Sequence, residues 1–164
     1  GFDAPALTQW AWSGNRLTKF GQGQVIDNDA LLACDVDILV PAACGHVLTE
    51  RTAPTVKASL IVEAANGPTT NAGQEILIGA GKRVIPDILA NAGGVVASYV
   101  EWRQAKSGSL TNENETYVTI DQHIGQAFER TAAIAAEKNV SMRTAAEILA
   151  VEEVIQTMRD RGWF

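Results

Sequence analysis

The chain has 164 residues, of which 46% are hydrophobic and 20% charged, enough for one packed domain. Its net charge of −6 disfavours binding to the phosphate backbone of nucleic acids or to anionic membrane surfaces. No apolar run approaches the roughly 18 residues that are needed to span a bilayer. Two cysteines are too few for a disulfide framework, so we expect a cytoplasmic protein with no nucleic-acid or membrane partner.

The first 35 residues are the least regular part of the sequence. Residues 4–12 predict a short helix with Pro5 in its first turn, and Asn28 is the predicted N-cap of a second helix over 29–32. The chain opens on Gly1 without a methionine or a signal-like segment, so we expect a processed product or a piece of a longer polypeptide.

Residues 36–87 alternate between strand and helix patterns. The predicted elements are a strand over 36–40, a helical turn over 48–56, a strand over 58–64, a helix over 70–80 and a strand over 83–87. The strands are apolar on both faces, which is typical of a parallel sheet that helices cover on each side. We therefore expect an α/β fold with a partial doubly wound, Rossmann-like parallel sheet.

The remainder of the chain is predicted to be helical. A helix over 95–106 precedes a polar linker over 107–115, and two amphipathic helices follow, the second with Ser141 as its N-cap. The apolar stripes are Ile124, Ala127, Phe128, Thr131, Ile134 and Ala135 on the first, and Ile148, Val151, Ile155 and Met158 on the second. We expect these stripes to pack on the core rather than to bind a partner.

A loop of small or polar residues follows each predicted strand, at 41–43, 65–70 and 91–94. The carboxyl ends of parallel strands meet at one edge of a sheet, and ligands bind there. The three loops are therefore predicted to form one crevice.

Residues 91–98 are the richest stretch in this crevice. Asn91, Val95 and Ser98 are spaced for one helical stripe, and Gly93 and Gly94 let backbone approach a ligand closely. An amide, an apolar contact, a hydroxyl and a helix N-terminus would suit a small amphipathic acid. The alternative is structural, with a capping Asn, a tight turn and a buried Ser that bonds to the preceding turn.

Polar residues elsewhere in the chain give weaker signals. Asn66 follows the second strand and either bonds a ligand or supports the geometry of the turn. His46 and His123 lack cysteine or carboxylate partners at metal-ligand spacing, so no metal site is predicted.

Several motifs together resemble the amino-acid dehydrogenases of the glutamate/leucine/phenylalanine/valine family. The resemblance covers nearly the whole chain, with its motifs in the family's order. They are Pro41-Ala42-Ala43, Glu63-Ala64-Ala65-Asn66-Gly67-Pro68-Thr69-Thr70, Val84-Ile85-Pro86-Asp87, Asn91-Ala92-Gly93-Gly94-Val95, Ser98-Tyr99, Glu101-Trp102, Arg143-Thr144-Ala145-Ala146 and Arg161-Gly162-Trp163.

The resemblance implies an oxidoreductase that interconverts L-glutamate with 2-oxoglutarate and ammonia, using NAD or NADP. It places Ala42 on the adenosine side of the coenzyme, Asn66 near the nicotinamide ribose and Asn91 between nicotinamide and substrate. Val95 and Ser98 would contact the substrate, with Ser98 bonding its side-chain carboxylate. Residues 1–106 would be the later portion of the dinucleotide-binding domain, and 107–164 a linker and helices packed on it.

Two departures from the family pattern affect these expectations. Ala64 stands where the family commonly has Gly, and its methyl group could crowd the coenzyme. The 164 residues contain no Gly-x-Gly-x-x-Gly loop and none of the family's catalytic lysine and aspartate, so we assign no catalytic residue and expect the chain alone to be inactive.

Two other functions remain open at this point, a stand-alone carboxylate- or nucleotide-binding regulatory module and a structural remnant. Half of a doubly wound sheet exposes an apolar edge strand. We therefore expect a homo-oligomer or association with a missing N-terminal part, unless the first 35 residues cover the exposed surface.

Overall fold

The computed structural model describes residues 2–110 and 112–164, and these residues form two compact units that divide between Leu32 and Ala33. The first unit contains helix α1 (Ala4–Trp12), a 3-10 turn (Leu17–Lys19) and helix α2 (Asn28–Leu32). Within it, the Trp10 and Phe20 ring centroids lie 6.0 Å apart. The Ala30 amide donates to Asp27 Oδ1 at 2.8 Å, so the predicted N-cap Asn28 is wrong and the chain caps α2 with Asp27.

The second unit is an α/β structure, as predicted. Its elements are β1 (Ile38–Leu39), a 3-10 turn (Ala53–Thr55), β2 (Leu60–Val62), α3 (Asn71–Gly79), β3 (Arg83–Ile85), α4 (Asp87–Ala90), α5 (Gly93–Ser107), α6 (Glu113–Lys138) and α7 (Met142–Asp160). The three strands form a parallel sheet in the order β1-β2-β3. Ile61 on the central strand pairs with Leu39 on one side and Val84 on the other.

The strands are shorter than predicted, at two or three residues each. Pro86 stops β3, because it has no amide hydrogen, and α4 begins at once at Asp87. The predicted helical turn over 48–56 contracts to Ala53–Thr55, and Leu48 instead bridges Thr69.

The polar linker predicted over 107–115 is also shorter. Asn112 accepts a hydrogen bond from the Glu115 amide at 2.9 Å and caps α6, so Glu113 and Glu115 lie in the first helical turn. Acidic side chains at this position favour a helix start through the helix dipole. Residue 111 of the predicted linker lies outside the described residues.

Helices α6 and α7 form a hairpin around Asn139, which adopts the left-handed conformation with φ 51°. The predicted N-cap Ser141 is confirmed, because its hydroxyl accepts from the Thr144 amide at 3.1 Å. Thr131 is buried as part of the predicted stripe, whereas Phe128 and Val151 are exposed, so these two positions were wrongly expected to pack. Within residues 2–110 and 112–164, no helix is both long and apolar enough to cross a membrane.

The core lies where α3 covers the sheet. Ile61, Leu48 and Leu77 are completely buried there. A Cβ atom at Gly73 of α3 would stand 2.3 Å from the Leu48 carbonyl oxygen, so only glycine permits this contact between the helix and the chain before it. In contrast, the sheet edge at β1 is open, and Ile38 is 54% exposed.

The close approach at Gly73 predicts the effect of a single methyl group. Gly73→Ala should lower the free energy of unfolding by about 1–3 kcal/mol, because the backbone must move to admit the methyl group. Gly79→Ala is the matched control in the same helix, since a Cβ atom there would have nothing within 4 Å, and it should be neutral or raise stability by up to about 1 kcal/mol. Urea unfolding of both variants measures the difference, and equal effects would contradict the packing described.

Candidate functional site

A cavity of about 630 Å³ opens at the carboxyl edge of the sheet. Every strand contributes the loop that follows it. The lining residues are Ala42, Ala43, Gly45, Ala64, Ala65, Asn66, Asn91, Gly94 and Val95. Most of them are small, which leaves room for a ligand, and the first turn of α5 supplies one wall with Gly94 and Val95.

Two asparagine side chains meet across this cavity. Asn91 Nδ2 donates to Asn66 Oδ1 at 2.7 Å and to the Ala64 carbonyl oxygen at 3.4 Å. The pairing joins the loop after β2 to the loop after β3. Within the described residues, Asn66 Nδ2 and Asn91 Oδ1 make no hydrogen bond, so one donor and one acceptor remain for a ligand.

Backbone contacts fix the third loop, which follows β1. The Pro41 carbonyl oxygen accepts from the amides of Ala64 at 3.1 Å and Ala65 at 2.8 Å. A Cβ atom at Gly45 would stand 3.1 Å from the Asn66 carbonyl oxygen, so the two loops approach more closely than most side chains allow. These contacts hold the loops in register without any side chain filling the cavity.

An ion-pair network lies behind the cavity, on the side of α7. Arg143 Nη1 donates to Asp87 Oδ1 at 2.8 Å, and Nη2 of the same guanidinium pairs with Glu63 Oε2. Its Nε donates to Gln74 Oε1. Glu63 is completely buried, and its Oε2 also accepts from the Asp87 amide at 2.9 Å.

The network favours the charged forms of Asp87 and Arg143, its two partly exposed members. Burial alone would raise the pKa of Asp87, but hydrogen bonds from the Gly67 amide, Arg143 and the Ile88 amide outweigh it and hold the pKa below its ordinary value. Burial alone would lower the pKa of Arg143, but Asp87 and Glu63 outweigh it and raise the pKa.

Four of the five site residues predicted from the sequence, Ala42, Asn66, Asn91 and Val95, line this cavity. Ser98 does not. It lines a separate hollow of about 360 Å³ between α5 and the start of α6, which it shares with Glu101, Gln104 and Thr116 among others. Asn91 and Val95 therefore share one crevice, whereas Ser98, one turn further along α5, lines the separate hollow.

Sequence reasoning did not anticipate the contacts made by Arg143. A signal was present in Glu63, a carboxylate at the end of an apolar strand, because a buried charge requires a partner of opposite sign.

Ala64, which differs from the usual family glycine, is exposed and lines the cavity. No group of three or more His, Cys, Asp or Glu residues able to hold a metal occurs in the part of the chain that the structure describes.

The lowered pKa of Asp87 predicts how stability depends on pH. The folded state binds a proton at this carboxyl more weakly than the unfolded state, whose pKa is near 3.8. Its stabilising contribution is therefore complete above about pH 5 and is lost as the pH falls through the folded pKa. Asp87→Asn should lower the free energy of unfolding at pH 7 by about 2 kcal/mol and flatten its decline in acid.

Urea unfolding between pH 3 and pH 7 measures both effects. Asp121→Asn removes the same charge from an exposed position on α6 and serves as the control, with the stability and pH dependence of the parent. A slope for Asp87→Asn that equals the parent's would contradict the assigned role of Asp87.

Comparisons with known proteins show which family the chain belongs to. The sequence profile of the family described as Glutamate/Leucine/Phenylalanine/Valine dehydrogenase matches residues 1–162. The chain is 42% identical over 164 residues to the NADP-specific glutamate dehydrogenase of Saccharolobus shibatae, and 40% identical over 162 residues to the glutamate dehydrogenase of Thermotoga maritima. In both comparisons 99% of this chain is covered, and it spans 39% of the relative's length.

Two solved structures have a similar fold over most of this chain. The crystal structure of glutamate dehydrogenase from Peptoniphilus asaccharolyticus matches 76% of this chain and 32% of its own, with a TM-score of 0.71 and 40% identity. The hetero-hexameric glutamate dehydrogenase from Thermus thermophilus, in its Leu-bound form, matches 98% of this chain and 38% of its own, with a TM-score of 0.85 and 25% identity.

Proposed function

Because the chain belongs to the glutamate/leucine/phenylalanine/valine dehydrogenase family, we propose that it is the coenzyme-domain portion of an L-glutamate dehydrogenase. The reaction is the oxidative deamination of L-glutamate to 2-oxoglutarate and ammonia, with NAD or NADP. Residues 1–106 are the later portion of the dinucleotide-binding domain, and residues 107–164 are a linker and the helices that pack on it. The Saccharolobus shibatae relative is named as NADP-specific, which supports a nicotinamide coenzyme.

The paired amides of Asn66 and Asn91 carry this proposal. They lie at the carboxyl edge of a parallel sheet, where dinucleotides bind in open α/β folds. The residues present fit a nicotinamide coenzyme, since small side chains leave space and each asparagine retains one hydrogen-bonding group. A coenzyme held there would supply the hydride-accepting group of the reaction.

Each residue then has a defined task in binding. Ala42 faces the adenosine side, where a methyl group leaves room for the coenzyme. Asn66 bonds the coenzyme near the nicotinamide ribose, and Asn91 lies between the nicotinamide and the substrate. Val95, which is 74% exposed on the first turn of α5, gives an apolar contact to the substrate.

The role of Ser98 rests on the family motif rather than on the cavity. We propose that its hydroxyl bonds the side-chain carboxylate of glutamate, as the family motif implies. Its exposed position on α5 leaves the hydroxyl accessible.

The same cavity explains why we propose binding without turnover for this polypeptide. None of the described residues that line it carries a titratable side chain, so nothing there can take the proton of the reacting amine. The chain also spans about two fifths of the length of the curated relatives that it matches. Hydride transfer requires both reactants in near-attack geometry, which one wall of a cleft does not provide.

The partners proposed for this polypeptide follow from its open edge. Ile38 on β1 is 54% exposed, and an apolar edge strand with free backbone groups favours association. We propose either a homo-oligomer or association with the remaining part of a coenzyme domain. The Thermus thermophilus relative is described as hetero-hexameric, which supports assembly of this kind.

Asparagine substitutions test the proposed coenzyme site. Asn66→Ala and Asn91→Ala should each weaken the binding of NAD or NADP by about 3–10-fold, the effect of one lost hydrogen bond. Isothermal titration with each coenzyme measures this. Asn114→Ala, an exposed asparagine on α6, is the matched control and should bind as the parent does. Equal affinity in all four proteins would overturn the assignment of the cavity.

Turnover is the second test. The 164-residue polypeptide should show no glutamate-dependent reduction of NAD or NADP, because none of the described residues that line the cavity has a titratable side chain. The absorbance of the reduced coenzyme measures this. Turnover at ordinary dehydrogenase rates would contradict the proposal of binding alone.

Calorimetric titration with 2-oxoglutarate tests the proposed role of Ser98. Heat of binding that is lost in Ser98→Ala would support the proposed carboxylate contact, and unchanged heat would count against it.

A further inference from the structure

We propose that Arg143 on α7 is a positioning residue for the coenzyme cavity, which it acts upon through Asp87 and Glu63 without lining it. The expected effect of Arg143 on coenzyme affinity rests on the proposed function. Its structural part, the control of the Asn66–Gly67 turn by a helix outside the sheet, stands on contacts alone.

The first branch of this connection runs through Asp87. One carboxylate oxygen, Oδ1, accepts from Arg143 Nη1 at 2.8 Å, and the other, Oδ2, accepts from the Gly67 amide at 2.8 Å. Asp87 therefore links the guanidinium to the backbone that directly follows Asn66. Gly67 is in the left-handed conformation with φ 55°, which glycine adopts readily, and the Asp87 carboxylate fixes the direction of its amide.

The second branch runs through Glu63 toward Asn91. Glu63 Oε2 accepts from Arg143 and from the Asp87 amide, which is the first residue of α4. Asn91 follows the last residue of α4 and donates to the carbonyl oxygen of Ala64, the neighbour of Glu63. The first branch therefore ends on the backbone amide after Asn66, and the second reaches Asn91 through α4 and Ala64.

The burial of Glu63 makes Arg143 hard to replace. The Glu63 side chain has no exposed surface, and its Oε1 has no hydrogen-bond partner within residues 2–110 and 112–164. Arg143 supplies the one positive charge in contact with it in this described region. A planar guanidinium can bond two carboxylates and Gln74 at once, whereas a lysine ammonium lacks this fixed fork.

The position of Arg143 connects the cavity to the helical hairpin. It is the second residue of α7, immediately after the Ser141 cap and the turn at Asn139. A movement of the hairpin therefore displaces the guanidinium, and with it the support of the Asn66–Gly67 turn. The helices set the geometry of a site that they do not line.

The test compares Arg143→Met and Arg143→Lys with Arg130→Met in the full 164-residue chain. Arg130 pairs with Glu153 between α6 and α7 on the exposed side of the hairpin, so its loss changes the hairpin without touching either branch. Hydrogen exchange of the Gly67 amide and the NMR shifts of the Asn66 and Asn91 side-chain amides are recorded without coenzyme. NAD and NADP affinities are then measured by titration.

We expect Arg143→Met to accelerate exchange at Gly67, shift both side-chain amides and weaken coenzyme binding by about 3–10-fold. Arg143→Lys should restore part of each change, and Arg130→Met should leave all of them as in the parent. Asn66→Ala combined with Arg143→Met should lose less affinity than the sum of the two single losses, because the two variants share the contact at Asn66. Additive losses in the double variant would overturn the inference.

Two outcomes separate this inference from the proposed function. If the parent binds neither coenzyme while Gly67 and the side-chain amides respond to Arg143, the proposed function fails and the positioning role stands. If the parent binds coenzyme but Gly67 exchange is unchanged in a folded Arg143 variant, the positioning role fails. Arg143→Lys supplies this readout if Arg143→Met does not fold.

Discussion

A carboxylate without exposed surface is the constraint on which the rest of this structure depends. Glu63 ends the central strand at the point where the cavity begins, and a charge in that place must be paired inside the protein. Its partner Arg143 belongs to α7, 80 residues further along the chain. The C-terminal hairpin is therefore joined to the sheet by electrostatics as well as by apolar packing, and the pairing determines where α7 begins relative to β2 and β3.

The side chains that line the cavity are uncharged, whereas those that hold its loops in place are charged. Residues that face the open space are small or carry amides, so they provide room and hydrogen bonds without bringing charge to the ligand. The charged residues Glu63, Asp87 and Arg143 hold the loops in place without lining the cavity. This arrangement suits a binding wall, whose polar groups are fixed before the ligand arrives and lose little freedom on binding.

Much of the fold could be predicted because it depends on local patterns. The apolar segments around Ile38, Ile61 and Val84 mark three strands of one parallel sheet, and the Ser141 cap marks the start of α7. The positions of Asn66 and Asn91 at a shared edge follow from the rule that strands of a parallel sheet end on the same side. The failures concern properties that depend on tertiary contacts. Ser98 lies one turn further along α5 and lines a separate hollow. The short helix α4 begins at Asp87, whose backbone amide donates a hydrogen bond to Glu63.

Strand β1 lies at an open edge of the sheet. On the far side, β3 contacts α7, whereas the flank of β1 offers the apolar side chain of Ile38 to solvent. A further strand can pair with β1, which has β2 as its one neighbour in the described sheet. Association at this flank would place the added strand beside β1, so the sheet would widen on the side away from β3.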